Sequence, residues 1–350
     1  MNDNNHDSRN SGQPAWLTDA HELHLDPGNA PELWSENYLT YVWSPANKVG
    51  IYLHLCRTIK GISIWNEQTI VALPGDRYLL AKGISKGYTE PDSLSVANLT
   101  FRCDQPFKQW TVTFHGGGRL ISGDEYRAGP VRDGESTPMT FELVFMAMSL
   151  PFDFGTPHLD QAWGVGHYEQ HGAITGSLSF AGESHQIDGT GLRDHSWGVR
   201  DYKDIGTTTW LHGQFAKSGR SIMAVRVTGL PPRPEFGYAT VCTSDTITPV
   251  KAIGLPSAKM PSECDTDFSF QLATADGKTT AVSARILNST RSALVGASEI
   301  ALGTFKANEG GANHHYIDSF TEFNWDGEIG YGITERSVDL LSALAEKKGN

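Results

Sequence analysis

Between Gly191 and Tyr202 the chain gathers two acids, Asp194 and Asp201, two arginines, Arg193 and Arg200, one histidine, His195, and two large aromatics, Trp197 and Tyr202. Charged residues make up only 19 % of the chain, so this density is not background. Acid, base and π faces in one stretch suit proton transfer to an apolar molecule.

Side chains alternate along an extended strand. Over Gly191 to Trp197 that puts Arg193, His195 and Trp197 on one face and Leu192, Asp194 and Ser196 on the other. Asp194 and His195 then point apart, so they form no direct dyad unless a bulge near Gly198 re-aims one of them. A purely structural reading competes: Arg193, Asp194, Arg200 and Asp201 pair to pin a β corner around Trp197, because buried charges need partners and arginine suits that task. Further on, Thr208, Trp210, His212 and Gln214 share one face, and Thr209, Leu211 and Phe215 share the other. The first face fits either the lining of a partly polar cavity or a solvent face with one exposed aromatic.

Other groups carry less weight. His167, Glu169 and His171 share a strand face and could ligate a metal, but the neighbouring glycines favour a solvated strand start. His314-His315 follows Gly310-Gly311 and reads as loop. Glu335, near Gly330 and Gly332, reads as a paired structural acid before a catalytic one. The four cysteines show no C-x-x-C pair, which argues against a zinc site, and Cys56 and Cys103 read as reduced core thiols. No phosphate loop, dinucleotide fingerprint, G-x-S-x-G or H-E-x-x-H occurs. No metal and no cofactor are expected.

The elements that must hold these groups are strands. Short alternating runs such as Gly50 to Arg57, Thr69 to Leu73 and Lys108 to His115 are separated by turn residues, and Ala181-Gly182, Asp276-Gly277 and Asp326-Gly327 mark hairpins. One helix is expected over Ser337 to Glu346. With 37 glycines among 350 residues the chain reads as all-β, sandwich or barrel. Residues 1–14 read as a disordered tail, and Pro151 to Val165 as the crossover between a first β unit, 15–165, and a second, 166–350.

The balance of 28 basic against 40 acidic residues, a formal charge of -12, disfavours nucleic acid. No window is apolar enough to span a bilayer and the polar start lacks a signal-peptide core, so a cytoplasmic location is the expectation. A homodimer is admitted, not required.

The string from Gly189 to Asp201, with Tyr168-Glu169-Gln170, Ile174-Thr175-Gly176 and Gly330 to Glu335, resembles the carotenoid 1,2-hydratase and AttH-like group. That resemblance implies two consecutive lipocalin-like antiparallel β-barrels packed together around an apolar ligand. It also implies cofactor-free chemistry, as in hydratases of isoprenoid double bonds or of a prenylated phenol, and in cyclases of polyene-like substrates. Asp194 and Trp197 fall on the group's acid-plus-aromatic motif. The expectation is therefore a hydratase or dehydratase with Asp194 as general acid, His195 or His212 as base or orienter, and Arg200 with Asp201 fixing the geometry. Trp197, Tyr202 and Trp210 would offer their π faces to the substrate. A non-catalytic carrier and a shape-driven isomerase or cyclase are the rivals.

Overall fold

The computed structural model describes residues 14–154, 166–200, 205–229, 235–295, 299–307, 309 and 312–341. The chain is nearly all β and builds two antiparallel sheets, of 12 and 9 strands. In the first, Gly166–Phe180, Glu183–Val199, Trp34–Ser44, Val49–Thr58, Ile64–Leu73, Arg77–Lys86 and Gln109–Ser122 follow one another. Glu135–Ala147 then bonds both to Gln109–Ser122 and to Gly166–Phe180, which turns the sheet back on itself. In the second, the path runs from Ile205–Phe215 through Arg220–Gly229, Phe236–Cys242, Ile247–Ile253 and Phe268–Ala273 to Thr279–Val295. It returns through Ala312–Trp325 and Glu328–Asp339 to the strand where it began.

Each ring fills its interior with alternate residues of its strands. Ile51, Leu53, Leu55, Val71, Phe114 and Phe141 lie in the first core, and Leu211, Phe215, Ile222, Phe270 and Phe323 in the second. A third apolar layer joins the rings, with Tyr41, Trp43, Tyr52, Trp210, Val225 and Phe320. This explains why Val49–Thr58 is buried on nearly every residue: one face fills its own ring, and the other packs on the neighbouring ring. Trp43 stacks on Phe320 at 5.4 Å, and a Cβ on Gly50 would come within 2.3 Å of the same ring, so only glycine lets the two sheets approach here.

Three expectations need correction. The first sheet does not end at residue 165, because Gly166–Phe180 and Glu183–Val199 complete it, the latter pairing with Trp34–Ser44. The second sheet begins at Ile205. The expected helix from Ser337 loses its first turn, since Ser337, Val338 and Asp339 pair with Tyr316, His315 and His314; inter-strand pairing overrides helical spacing. That same pairing makes His314-His315 a buried strand segment and not a loop. The residues from 342 onward, the tail up to residue 13 and most of the crossover lie outside those described. The four cysteines are all unpaired and buried. Among the described residues no helix is long and apolar enough to cross a membrane.

Candidate active site

Strand parity divides the central motif as the alternation predicts. Arg193 turns into the first ring, where its guanidinium donates to Glu22 at 2.6 Å and to Gln170 at 3.0 Å. Glu22 also accepts from the backbone of Phe107 and the indole of Trp110, at 2.8 and 2.7 Å, so the N-terminal segment is clamped over the ring. His195 lies on the same face, with Nε2 3.0 Å from Glu36 Oε1 and Nδ1 2.7 Å from the carbonyl of His21. Trp197 stacks on His21, with ring centroids 5.4 Å apart. These side chains hold the fold together and do not line the space between the rings.

Asp194, Leu192 and Ser196 turn the other way, toward the second ring. Their partners across the register are Glu169, His171 and His167, which share that face. All three are buried, contrary to the expected solvated strand start, because the second ring covers them. His167 Nε2 is in direct hydrogen-bonding contact with Asp194 Oδ2 and lies 3.4 Å from Glu169 Oε1. Glu169 Oε1 accepts the indole N–H of Trp210 at 3.0 Å, and its Oε2 lies 3.0 Å from His212 Nε2, too obliquely for a well-formed hydrogen bond. His212 Nδ1 meets His171 Nε2 at 2.9 Å, and His171 Nδ1 meets Ser221 Oγ at 3.0 Å. A continuous polar seam thus runs from Asp194 to Ser221 through both sheets.

Burial pushes the Asp194 carboxyl up, but His167, Arg200 and His195 outweigh this and hold it below the usual carboxylate range. Glu169 goes the other way: burial and the charge of Asp194 push it up to about 8. Burial also lowers His212 to about 3 and His54 to about 4, so both rings are neutral at physiological pH.

Ligand atoms of His167, Glu169 and Asp194 lie within 4.8 Å of one another, which makes this trio the candidate cation site among the described residues. His167 and Asp194 are already bonded directly to each other, however, so a cation would have to break that contact. Within the trio the hydrogen bond is that of His167 to Asp194, and Glu169 Oε1 instead accepts from Trp210.

Asp194 and His167 open onto a cavity of about 250 Å³ between the sheets. Its walls include Tyr41, Tyr52, Phe154, Trp210, Val225 and Val227, with Thr208, Ser196 and Arg200 among the polar groups. Arg200 donates to Ser196 Oγ at 2.6 Å. Of the residues expected at a site, Asp194, Trp210 and Arg200 therefore meet at the cavity, and His212 lies behind it in the seam. His195 and Trp197 lie on the opposite face of their strand. Asp201 and Tyr202 fall outside the described residues. Asp318 was not foreseen, and Glu335 was given a structural role; both line the same cavity from the second ring.

The sequence from residue 18 to 338 matches a family described as a domain of unknown function, DUF7064. The chain belongs to the DUF7064 family. No curated protein matches it. This DUF7064 chain shares its fold with a protein of Nitrosomonas europaea, NE1406, provisionally described as AttH, at 13 % identity and a TM-score of 0.56 over 91 % of this chain and 99 % of that one. Kievitone hydratase from Nectria haematococca is similar at 13 % identity and a TM-score of 0.52, covering 90 % of this chain and 92 % of the other. CghA in complex with Sch210972 is similar at 10 % identity and 0.51, covering 88 % and 89 %. At such identities the likeness establishes the architecture of the DUF7064 chain and leaves its chemistry to its own residues.

Proposed function

We propose that this chain is a hydro-lyase that adds water to, or removes it from, an isoprenoid-type alkene or tertiary alcohol held between the two rings. The observation that carries this reading is the Asp194–His167 pair set into the wall of an otherwise largely apolar cavity. A cavity of about 150 Å³ takes one benzene molecule. In proportion, the 250 Å³ found here takes about ten heavy atoms. That is the scale of a small terpenoid or of one end of a longer chain.

Water addition needs one group to protonate a carbon and another to accept the proton of the attacking water. The sequence suggested Asp194 as the acid. Its carboxyl is held below the usual range by His167, which suits it to the accepting role at neutral pH. Trp210 and Tyr52 in the wall offer π faces to a developing cation. All the proton-handling groups are side chains of the chain itself. The hydratase name of one protein of the same fold is in keeping with this reading.

A passive carrier would gain nothing from ionisable groups sealed in its wall, each carrying a desolvation penalty of several kcal/mol. A panel of small terpenoid alkenes and tertiary alcohols, incubated with the purified protein in deuterated water, separates the readings. Carbon-bound deuterium in a hydrated or dehydrated product supports the hydro-lyase. Rearrangement without label favours an isomerase or cyclase, and unchanged bound ligand favours a carrier.

A further inference from the structure

We propose that Asp318 and Glu335 form a second proton-transfer site, in which Glu335 donates the proton that adds to the substrate carbon. The proposal rests on the hydro-lyase reading above and supplies the acid that reading lacks.

The two residues are register partners on Ala312–Trp325 and Glu328–Asp339, and their side chains are hydrogen-bonded to each other. Both line the cavity, on the second ring, whereas Asp194 and His167 belong to the first. Tyr41 Oη donates to Asp318 Oδ1 at 2.9 Å, and Thr290 Oγ1 donates to Oδ2 at 3.3 Å. Among the described residues no arginine or lysine pairs with either carboxyl. Two contacting carboxyls in a low-dielectric site without a cation cannot both be ionised, so they share one proton. The donors on Asp318 favour charge there, which leaves the proton on Glu335. Of the two cavity-lining acids Asp318 is the more buried, at 3 % exposed, while Glu335 keeps more accessible surface. Burial raises both groups, Glu335 further because of the Asp318 charge, in keeping with a carboxyl that stays protonated at neutral pH.

In the hydration direction the Glu335 O–H bond breaks and a C–H bond forms at one alkene carbon. The π pair supplies that bond and leaves a cation at the other carbon. Water attacks the cation, and its proton passes to the Asp194–His167 pair. The substrate has then gained H₂O, and exchange with solvent returns one proton to Glu335 and removes one from Asp194–His167. Dehydration runs the same steps in reverse: the protonated Asp194–His167 pair gives its proton to the leaving hydroxyl, and the Glu335 carboxylate takes the proton from the neighbouring carbon. Groups whose surroundings push their protonation apart, one pair on each ring and both at the same cavity, provide the two roles. Asp318 and Tyr41 are positioning residues here.

The test has two arms. Infrared spectra of the unliganded protein at pH 7 should contain a protonated-carboxyl band that Glu335→Gln removes and Glu169→Gln does not. An unchanged band in Glu335→Gln would overturn the shared proton. On a panel alkene labelled by the wild-type protein in deuterated water, Glu335→Gln should lower label incorporation by about 10²–10⁴-fold with the alkene still bound. Asp318→Asn should fold and move the alkaline limb of the kcat profile to lower pH, since it removes the charge that raises Glu335. Normal labelling by Glu335→Gln, or an unmoved limb in Asp318→Asn, would overturn the donor role. If the wild-type protein labels no panel member, the hydro-lyase reading and the donor role fall together, while the infrared arm still decides whether the proton is shared.

Discussion

Arg193 and Asp194 are consecutive in sequence and point to opposite sides of one strand, Arg193 onto Glu22 inside the first ring and Asp194 onto His167 at the cavity between the rings. A single peptide bond therefore separates a charge that braces the fold from one that faces the cavity. The two can be told apart by substitution.

Glu22→Gln leaves the Arg193 guanidinium buried against a neutral partner, and breaking a buried ion pair from one side costs about 3–5 kcal/mol. We expect a loss of that order in urea denaturation, with any activity in the surviving folded fraction unchanged. Equal stability of variant and wild type would mean that Glu22 does not clamp the N-terminal segment.

Glu169 links stability to pH. Its carboxyl rises from an ordinary 4.5 to about 8 in the folded protein, so between those values the folded state binds more protons than the unfolded state. Its contribution to stability is fully present below about pH 4.5 and is lost as pH rises through about 8. Glu169→Gln removes this dependence. The Tm of the variant, measured at pH 5 and pH 8.5, should improve relative to wild type at the higher pH; a pH-independent difference would contradict the assignment.

Val227 lines the cavity and takes no part in the polar seam. Val227→Trp should fill the space and weaken binding of an apolar ligand by tenfold or more, about 1.4 kcal/mol or above. Titration of a fluorescent apolar probe reads this directly. Unchanged affinity would place the ligand elsewhere.

Much of this arrangement is legible in the sequence. Alternation alone separates Arg193, His195 and Trp197 from Asp194, and places Trp210 and His212 on a face apart from Leu211 and Phe215. The turns at Ala181-Gly182 and Asp326-Gly327 take the positive φ values that their glycine-containing pairs imply, 47° and 82° at the first and 56° and 80° at the second. What alternation cannot convey is which polar face another polar face covers. His167, Glu169 and His171 carry the composition of a solvated strand, and only the second ring packed over them makes them a buried seam. Asp318 is one acid in an alternating strand, and its partner Glu335 is set by a hairpin register 17 positions away. Neither residue type nor local spacing signals a carboxyl pair. The resemblance to the AttH-like group points to the correct architecture and to Asp194, but the protonation of Asp194 depends on His167, which local spacing does not bring near it.

The most direct test of the account is the turnover of Asp194→Asn on a terpenoid that the wild-type protein hydrates or dehydrates. The account predicts a fall in kcat of about 10²–10⁴-fold, with ligand affinity and circular dichroism close to wild type. A folded variant that turns over at the wild-type rate would contradict it.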